Sequence, residues 1–218
     1  NEGLEEIGNS AFEYCSIKDL QFPSTLRKLR PYAFYHNKME ELLVPVGIDS
    51  LASRSLTSKY LKKIEWQEPY SQEYEYSSGP FSGSDSLHTI VLAEGVKTLG
   101  SYLFAQLESL DTLVISASVS SIHKNTFYAS DKMKTVTAYG DDYYTLLTDI
   151  DQTVETLLLP DLKTAKYIDF RQYKNLKKLD IRHVESMDQN ILGGLSKLTE
   201  LVLPYVGSGN KNLATDEK

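Results

Sequence analysis

The chain of 218 residues carries 30 acidic and 23 basic side chains, a formal net charge of −7, and is 41% hydrophobic. That hydrophobic content supports a continuous core and excludes general disorder, while the acidic balance argues against nucleic-acid phosphates or an anionic membrane surface as partners. The single cysteine, Cys15, excludes an intramolecular disulfide, and no run of about 18 apolar residues is present to span a membrane.

Nine short apolar triplets recur along the chain. They occupy residues 20–22, 42–44, 64–66, 90–92, 113–115, 136–138, 157–159, 179–181 and 201–203. The steps between their first residues are 22, 22, 26, 23, 23, 21, 22 and 22. A fixed period of this size predicts a solenoid, a class of protein that works mainly through its surface.

Each triplet is predicted to be a short strand. Because side chains alternate along a strand, the outer residues of a triplet face the core and the middle residue faces the opposite side. Stacked repeats then give one parallel sheet of about nine strands, and nine strands spaced by about 4.8 Å make it roughly 38 Å long.

An aromatic or leucine landmark precedes most of the triplets by eight or nine residues. Examples are Phe12, Phe34 and Phe104, and a pair of apolar residues spaced by three, such as Val96 and Leu99, comes before the ring. This segment is too short for a regular α-helix, so we expect a turn or a short 3-10 helix there.

The residues IGNSAFEYC at 7–15, followed by LQFP at 20–23, resemble the BspA-like leucine-rich repeat. The resemblance implies an α/β-type solenoid, mostly β, wound as a right-handed superhelix. It covers residues 1–218 as a single unit with an inserted loop at 68–79, and Cys15 occupies the family's cysteine position, where we expect it to be buried. The Asn or Cys ladder that follows the strand in better-known leucine-rich repeats is missing. The first residues already lie within a repeat, so we expect a piece of a longer protein without its signal or lipid-anchor segment.

The middle residue of each triplet, and the residue just before the triplet, are predicted to share the concave side, here called the strand face. The candidate binding residues on the strand face are threonine, valine and leucine, at Thr89, Val91, Thr112, Val114, Thr135, Thr137 and Leu158. An apolar centre with a charged border is typical of a protein-binding patch. The alternative is that β-branched residues simply suit the surface of a strand.

Two tyrosine-rich acidic segments interrupt the repeat. The 26-residue step contains Tyr70, Tyr74 and Tyr76, and the degenerate repeat after residue 138 contains Tyr143 and Tyr144. Both follow a triplet, so they leave the sheet on the same edge, and we hypothesise that they form one acidic, tyrosine-rich binding rim. The alternative is an ordinary surface loop at each position.

The sequence contains no catalytic, cofactor or metal motif. The four histidines fall in different repeats, and the acidic residues Asp141, Asp142, Asp149 and Asp151 do not have the spacing of an EF-hand loop. We therefore expect a non-enzymatic binding module, with neither cofactor nor metal.

The resemblance implies a cell-surface or secreted protein that adheres to a protein or glycan on host or neighbouring cells. The alternative is a structural spacer that presents another domain. Nucleic acid and membrane insertion are not expected, whereas the uncovered ends of the sheet invite end-to-end self-association.

Overall fold

The computed structural model describes residues 3–75, 79–140, 153–166 and 168–204. The described strands, in chain order, are β1 (Glu6–Ile7), β2 (Lys28–Leu29), β3 (Glu41–Val44), β4 (Ser50–Leu51), β5 (Lys63–Trp66), β6 (Thr89–Leu92), β7 (Thr98–Leu99), β8 (Thr112–Ile115), β9 (Ser121–Ile122), β10 (Thr135–Ala138), β11 (Thr156–Leu158), β12 (Thr164–Ala165), β13 (Lys178–Asp180), β14 (Ser186–Met187) and β15 (Glu200–Val202). Coils are numbered 1 to 9 by the triplet they contain.

The main sheet contains eight parallel strands in the order β3-β5-β6-β8-β10-β11-β13-β15. Each strand pairs in register with the strand one coil away, so that Thr89 lies opposite Thr112 and Ile90 opposite Leu113. Within β6, Ile90 is fully buried, whereas Thr89 is only half-buried. The predicted mostly-β parallel solenoid, with alternating inward and outward side chains, is confirmed.

The first predicted triplet, residues 20–22, does not form a strand, so the described sheet has eight strands. Coil 1 contacts coil 2 through the carbonyl of Ile17, which accepts a hydrogen bond from the Lys38 N–H at 2.8 Å. In the described part of coil 1, the carbonyl of Lys18 lacks the pair of N–H donors that the same position has in later coils. The triplet therefore diverges from β3 instead of pairing with it.

On the opposite side of the coils, the chain forms turns and two-residue strands. These strands pair as β1-β2-β4, β7-β9 and β12-β14, and a 3-10 helix spans Phe170–Gln172. The prediction of turns or 3-10 segments on this side is confirmed. The two-residue strands were not predicted, because two residues are too few to show a periodicity.

The aromatic landmarks stack along the core. The Phe104 ring is stacked with Phe81 at 5.6 Å and with Phe127 at 5.8 Å, measured between ring centroids. Trp66 meets Phe104 edge-on at 5.7 Å. The rings fall one above another because the landmark recurs once per coil, and each ring buries the face of the next.

A ladder of buried polar side chains follows the landmarks. We call Asn37, Ser58, Ser84 and Ser130 the polar rungs; none is more than 2% exposed. Asn37 donates to the carbonyl of Phe12 at 2.6 Å, and Ser130 donates to the carbonyl of Phe104 at 3.0 Å. The rungs therefore satisfy buried backbone groups of the preceding coil, which would otherwise be unpaired.

Cys15 occupies the rung position of coil 1, three residues after Phe12, but it is exposed. The expectation that it is buried is wrong. A rung is covered by the coil before it and the coil after it, and among the described residues coil 1 has a neighbour on one side only. The polar ladder thus exists in this chain, at the cysteine position of the repeat and not after the strand.

Candidate functional site

The strand face presents two in-register columns across coils 4 to 7. One column is Thr89, Thr112, Thr135 and Thr156, and the other is Val91, Val114, Thr137 and Leu158. All eight side chains are half-buried. Strand pairing fixes their spacing at about 4.8 Å along each column, so the two columns form a regular patch whose central side chains are small and uncharged.

The threonine hydroxyls differ in their hydrogen bonds. Thr112 donates to the carboxylate of Asp111 at 2.8 Å. The side chains of Thr89, Thr135 and Thr156 make no hydrogen bond to any other residue in the described ranges. Three hydroxyls of this column are therefore available to a ligand.

Charged side chains border the patch at both ends. In coil 3, the Gln67 amide donates to Glu65 at 2.8 Å, and in coils 8 and 9, Lys178 pairs with Glu200 at 2.5 Å. Asp180 was predicted to point outward on the strand face, but it is buried beneath Arg182. The hydrogen bond from Arg182 lowers the pKa of this carboxyl and keeps it ionised.

A cleft of about 620 Å³ lies where coil 1 diverges from β3. Lys18, Gln21, Glu41 and Tyr60 are among the residues that line it. A smaller depression of about 240 Å³ adjoins it beside Leu43 and Lys63. Sequence reasoning missed this cleft because it depends on an unpaired triplet, and the triplet itself has the same pattern as the others.

The insertion is an integral part of coil 4, as far as residues 68–75 describe it. Tyr70 forms a β-bridge with Thr98, and the Tyr74 N–H donates to the carbonyl of Ser101 at 3.0 Å. On the other side, the Gln72 amide donates to the carbonyl of Leu51 at 3.0 Å. The insertion therefore lies between β4 and β7, in the position that a two-residue strand occupies in other coils.

The two described tyrosines of the insertion, Tyr70 and Tyr74, differ in their exposure. Tyr74 is 9% exposed and belongs to the core, where burial raises the pKa of its hydroxyl, whereas Tyr70 is 63% exposed. The predicted role of Tyr74 in a binding rim does not fit this position, because its ring fills the core of the longer coil. Tyr76, Tyr143 and Tyr144 lie outside the described residues, and in the described parts of the two segments Tyr70 and Tyr139 are exposed.

No three His, Cys, Asp or Glu side chains come together as a metal-binding group within the described ranges. Among the same residues, no helix has the length and apolar character needed to cross a membrane.

The repeat is matched by a family model, the BspA type leucine rich repeat region, in six copies over residues 1–78 and 74–150. The chain belongs to this family. The BspA-type assignment agrees with the landmark rings and triplets described above. No curated protein matches the sequence.

Three crystal structures of bacterial leucine-rich repeat proteins are similar to this BspA-type chain. The protein from Bacteroides ovatus is 16% identical, with a TM-score of 0.40 over 93% of this chain and 65% of that chain. The protein from Eubacterium ventriosum is 19% identical, with a TM-score of 0.33 over 93% of this chain and 59% of that one. A leucine rich cell surface protein from Faecalibacterium prausnitzii is 12% identical, with a TM-score of 0.36 over 96% of this chain and 59% of that one. The present chain thus spans about three fifths of the length of these proteins.

Proposed function

We propose that this BspA-type chain is a non-enzymatic binding module of a cell-surface or secreted protein, and that it holds a protein ligand on its strand face. The observation that carries the proposal is the patch of coils 4 to 7, with its two in-register columns of half-buried threonine, valine and leucine. The family is a repeat family, and one similar structure is described as a cell surface protein.

The chemistry of the patch favours a protein over a glycan. Valine and leucine side chains offer apolar area at the centre, while Glu65 and the Lys178–Glu200 pair lie at its borders. An apolar core with a charged rim is the usual anatomy of a protein–protein interface. The unpaired threonine hydroxyls supply hydrogen-bonding groups without the desolvation cost of a charge.

Replacing Val114 by Arg tests the proposal, because it places a long charged side chain in the middle of the patch. The matched control is Ser121→Arg, which adds the same charge to exposed strand β9 on the opposite side of the coil. The chain and both variants would be screened on arrays of matrix proteins and of glycans, with thermal unfolding to show that all three are folded.

The proposal is supported if the chain binds a protein, Val114→Arg weakens that binding at least tenfold, and Ser121→Arg leaves it unchanged. Binding that neither variant changes would place the site elsewhere. Binding to glycans alone contradicts the protein ligand, and absence of binding on both arrays favours the structural spacer.

A further inference from the structure

A row of mostly charged residues runs along one edge of the main sheet. It consists of the residue immediately before each main strand, and we call it the charge row. Its members in coils 2 to 8 are Glu40, Lys62, His88, Asp111, Lys134, Glu155 and Lys177. Lys18 has the corresponding sequence position in coil 1, which has no main strand among the described residues.

Backbone hydrogen bonds place the members of the charge row in equivalent positions. The carbonyl of Glu40 accepts the N–H groups of Lys62 at 2.7 Å and Lys63 at 3.2 Å. The same pair of bonds recurs at every later row position, for example from Glu155 and its neighbour to the carbonyl of Lys134, both at 2.9 Å. From Glu40 onward the row members are therefore equivalent in position and spaced by about 4.8 Å.

The signs alternate along the row on either side of His88, and the side chains are exposed except for Asp111 and Glu155, which are half-buried. Glu40 pairs with Lys62 at 2.7 Å, and their side chains are 62% and 58% exposed. Glu155 pairs with Lys177 at the same distance. The hydrogen bond from Lys62 lowers the pKa of Glu40, and the one from Lys177 does the same for Glu155. Ion pairs so exposed stabilise the chain little and leave one side of each charge free.

The row is self-complementary about His88. Counting outward from this residue, Lys62 is matched by Asp111 and Glu40 by Lys134. Reversing the order of these four residues about His88 therefore inverts every sign, whereas Lys177 has no counterpart in the row. A second copy placed antiparallel, with its His88 beside the first, sets an opposite charge against each of the four charges of Glu40, Lys62, Asp111 and Lys134. The match of Lys18 with Glu155 holds in sequence position only, because coil 1 diverges from β3.

From this complementarity we propose that two copies of the chain associate side by side and antiparallel through the charge row, with a two-fold axis at His88. Such a contact is isologous: if Lys62 of one copy meets Asp111 of the other, then Asp111 of the first copy meets Lys62 of the second. It differs from end-to-end association of the sheets and does not rest on the ligand proposed for the strand face.

The pairing is expected to be weak and sensitive to salt. Its charges are exposed, so screening reduces their attraction as ionic strength rises. Lys38 and Lys132 each lie two residues before a member of the charge row, Glu40 and Lys134 respectively. In the antiparallel dimer these two lysines would meet as like charges, which limits the contact to the charge row. Charge complementarity of this kind sets orientation more than affinity.

A zero-length carbodiimide crosslink between Glu40 and Lys134 tests the geometry. Within one chain these residues are four coils apart, roughly 19 Å, which is too far for direct coupling, whereas the proposed dimer places them face to face. A mixture of unlabelled and ¹⁵N-labelled chain should give mixed-label crosslinked peptides in about 20 mM NaCl and lose them in about 0.5 M NaCl. Absence of this crosslink at high protein concentration and low salt would overturn the proposal.

Charge reversal tests the complementarity by sedimentation equilibrium. Lys62→Glu should weaken dimerisation at least tenfold, and the double variant Lys62→Glu/Asp111→Lys should restore it. The double variant adds repulsion within each chain, so recovery reports the contact between copies and not the stability of the fold. Lys97→Glu, an exposed reversal outside the row, is the control and should have no effect. A dimer indifferent to Lys62→Glu, or a double variant that stays monomeric, would contradict the proposal.

Discussion

The landmark side and the strand face of the coils are ordered in different ways. On the landmark side, stacked rings and polar rungs are buried, and side chains bond to the backbone of the preceding coil. On the strand face of coils 4 to 7, backbone pairing sets the arrangement, and the outward side chains are half-buried. Side chains thus hold the coils together on the landmark side, whereas on the strand face the coils are held mainly by the backbone pairing of the main sheet.

The largest expected difference between the two sides comes from removing a ring of the stack. Phe104 is fully buried between Phe81 and Phe127, so Phe104→Ala should lower the free energy of unfolding by about 3 to 5 kcal/mol. Val114→Ala on the strand face should cost less than half of that. Chemical denaturation of both variants measures the contrast, and equal losses would show that the strand face also holds the fold.

A polar rung should be the next most costly to lose. Asn37→Ala removes bonds to the carbonyls of Phe12 and Phe34 and to the N–H of Ile17, all in a buried setting. Leaving such groups unpaired should cost about 3 kcal/mol. Thermal and denaturant unfolding would show it, and a loss below about 1 kcal/mol would mean that the rungs are not what ties the coils together.

The insertion should respond to a change in the coil that it packs against. A Cβ at Gly100 would fall against the backbone of Gln72, so Gly100→Ala should displace the insertion and cost about 2 kcal/mol. Limited proteolysis should then cut within residues 68–75. Gly8→Ala, with nothing within 4 Å of the added carbon, is the matched control. Unchanged resistance to protease in Gly100→Ala would show that the insertion is held independently of coil 5.

The smallest effect is expected on the strand face. Thr135 makes no side-chain hydrogen bond to another described residue, so Thr135→Val should change the free energy of unfolding by less than about 0.5 kcal/mol. The same change should alter ligand affinity if this hydroxyl contacts the partner. A large loss of stability from Thr135→Val would remove the distinction between the two sides.

The sheet could be predicted from the sequence because apolar triplets at a regular period leave few alternatives to stacked parallel strands. Residues such as Thr112 and Val114 were placed correctly on the outward side by alternation alone. The polar rungs could not be predicted, because a buried Asn37 or Ser130 reads as a surface residue until its backbone partners are known. Their burial depends on hydrogen bonds between coils, which no local pattern records.

The outward placement of the candidate residues was predictable where the repeat is regular, and their surroundings were not predictable where it is interrupted. The insertion looked like a surface loop because its composition is polar and rich in tyrosine, yet Tyr74 contributes to the core. The cleft beside β3 follows from the divergence of coil 1, whose triplet differs little from the paired ones. Whether Thr89, Val91 and their column neighbours bind a partner stays a prediction.

The polar rungs all reach in the same direction along the chain. Asn37 bonds to Phe12, Ser58 to the carbonyl of Asn37, and Ser130 to Phe104, each one coil earlier. Removing coils from the C-terminal side therefore leaves backbone carbonyls of the new last coil without their side-chain donors, whereas removing them from the N-terminal side leaves rung side chains of the new first coil without their acceptors. Truncation of this solenoid has a polarity: the two ends of a shortened variant expose different polar groups to water.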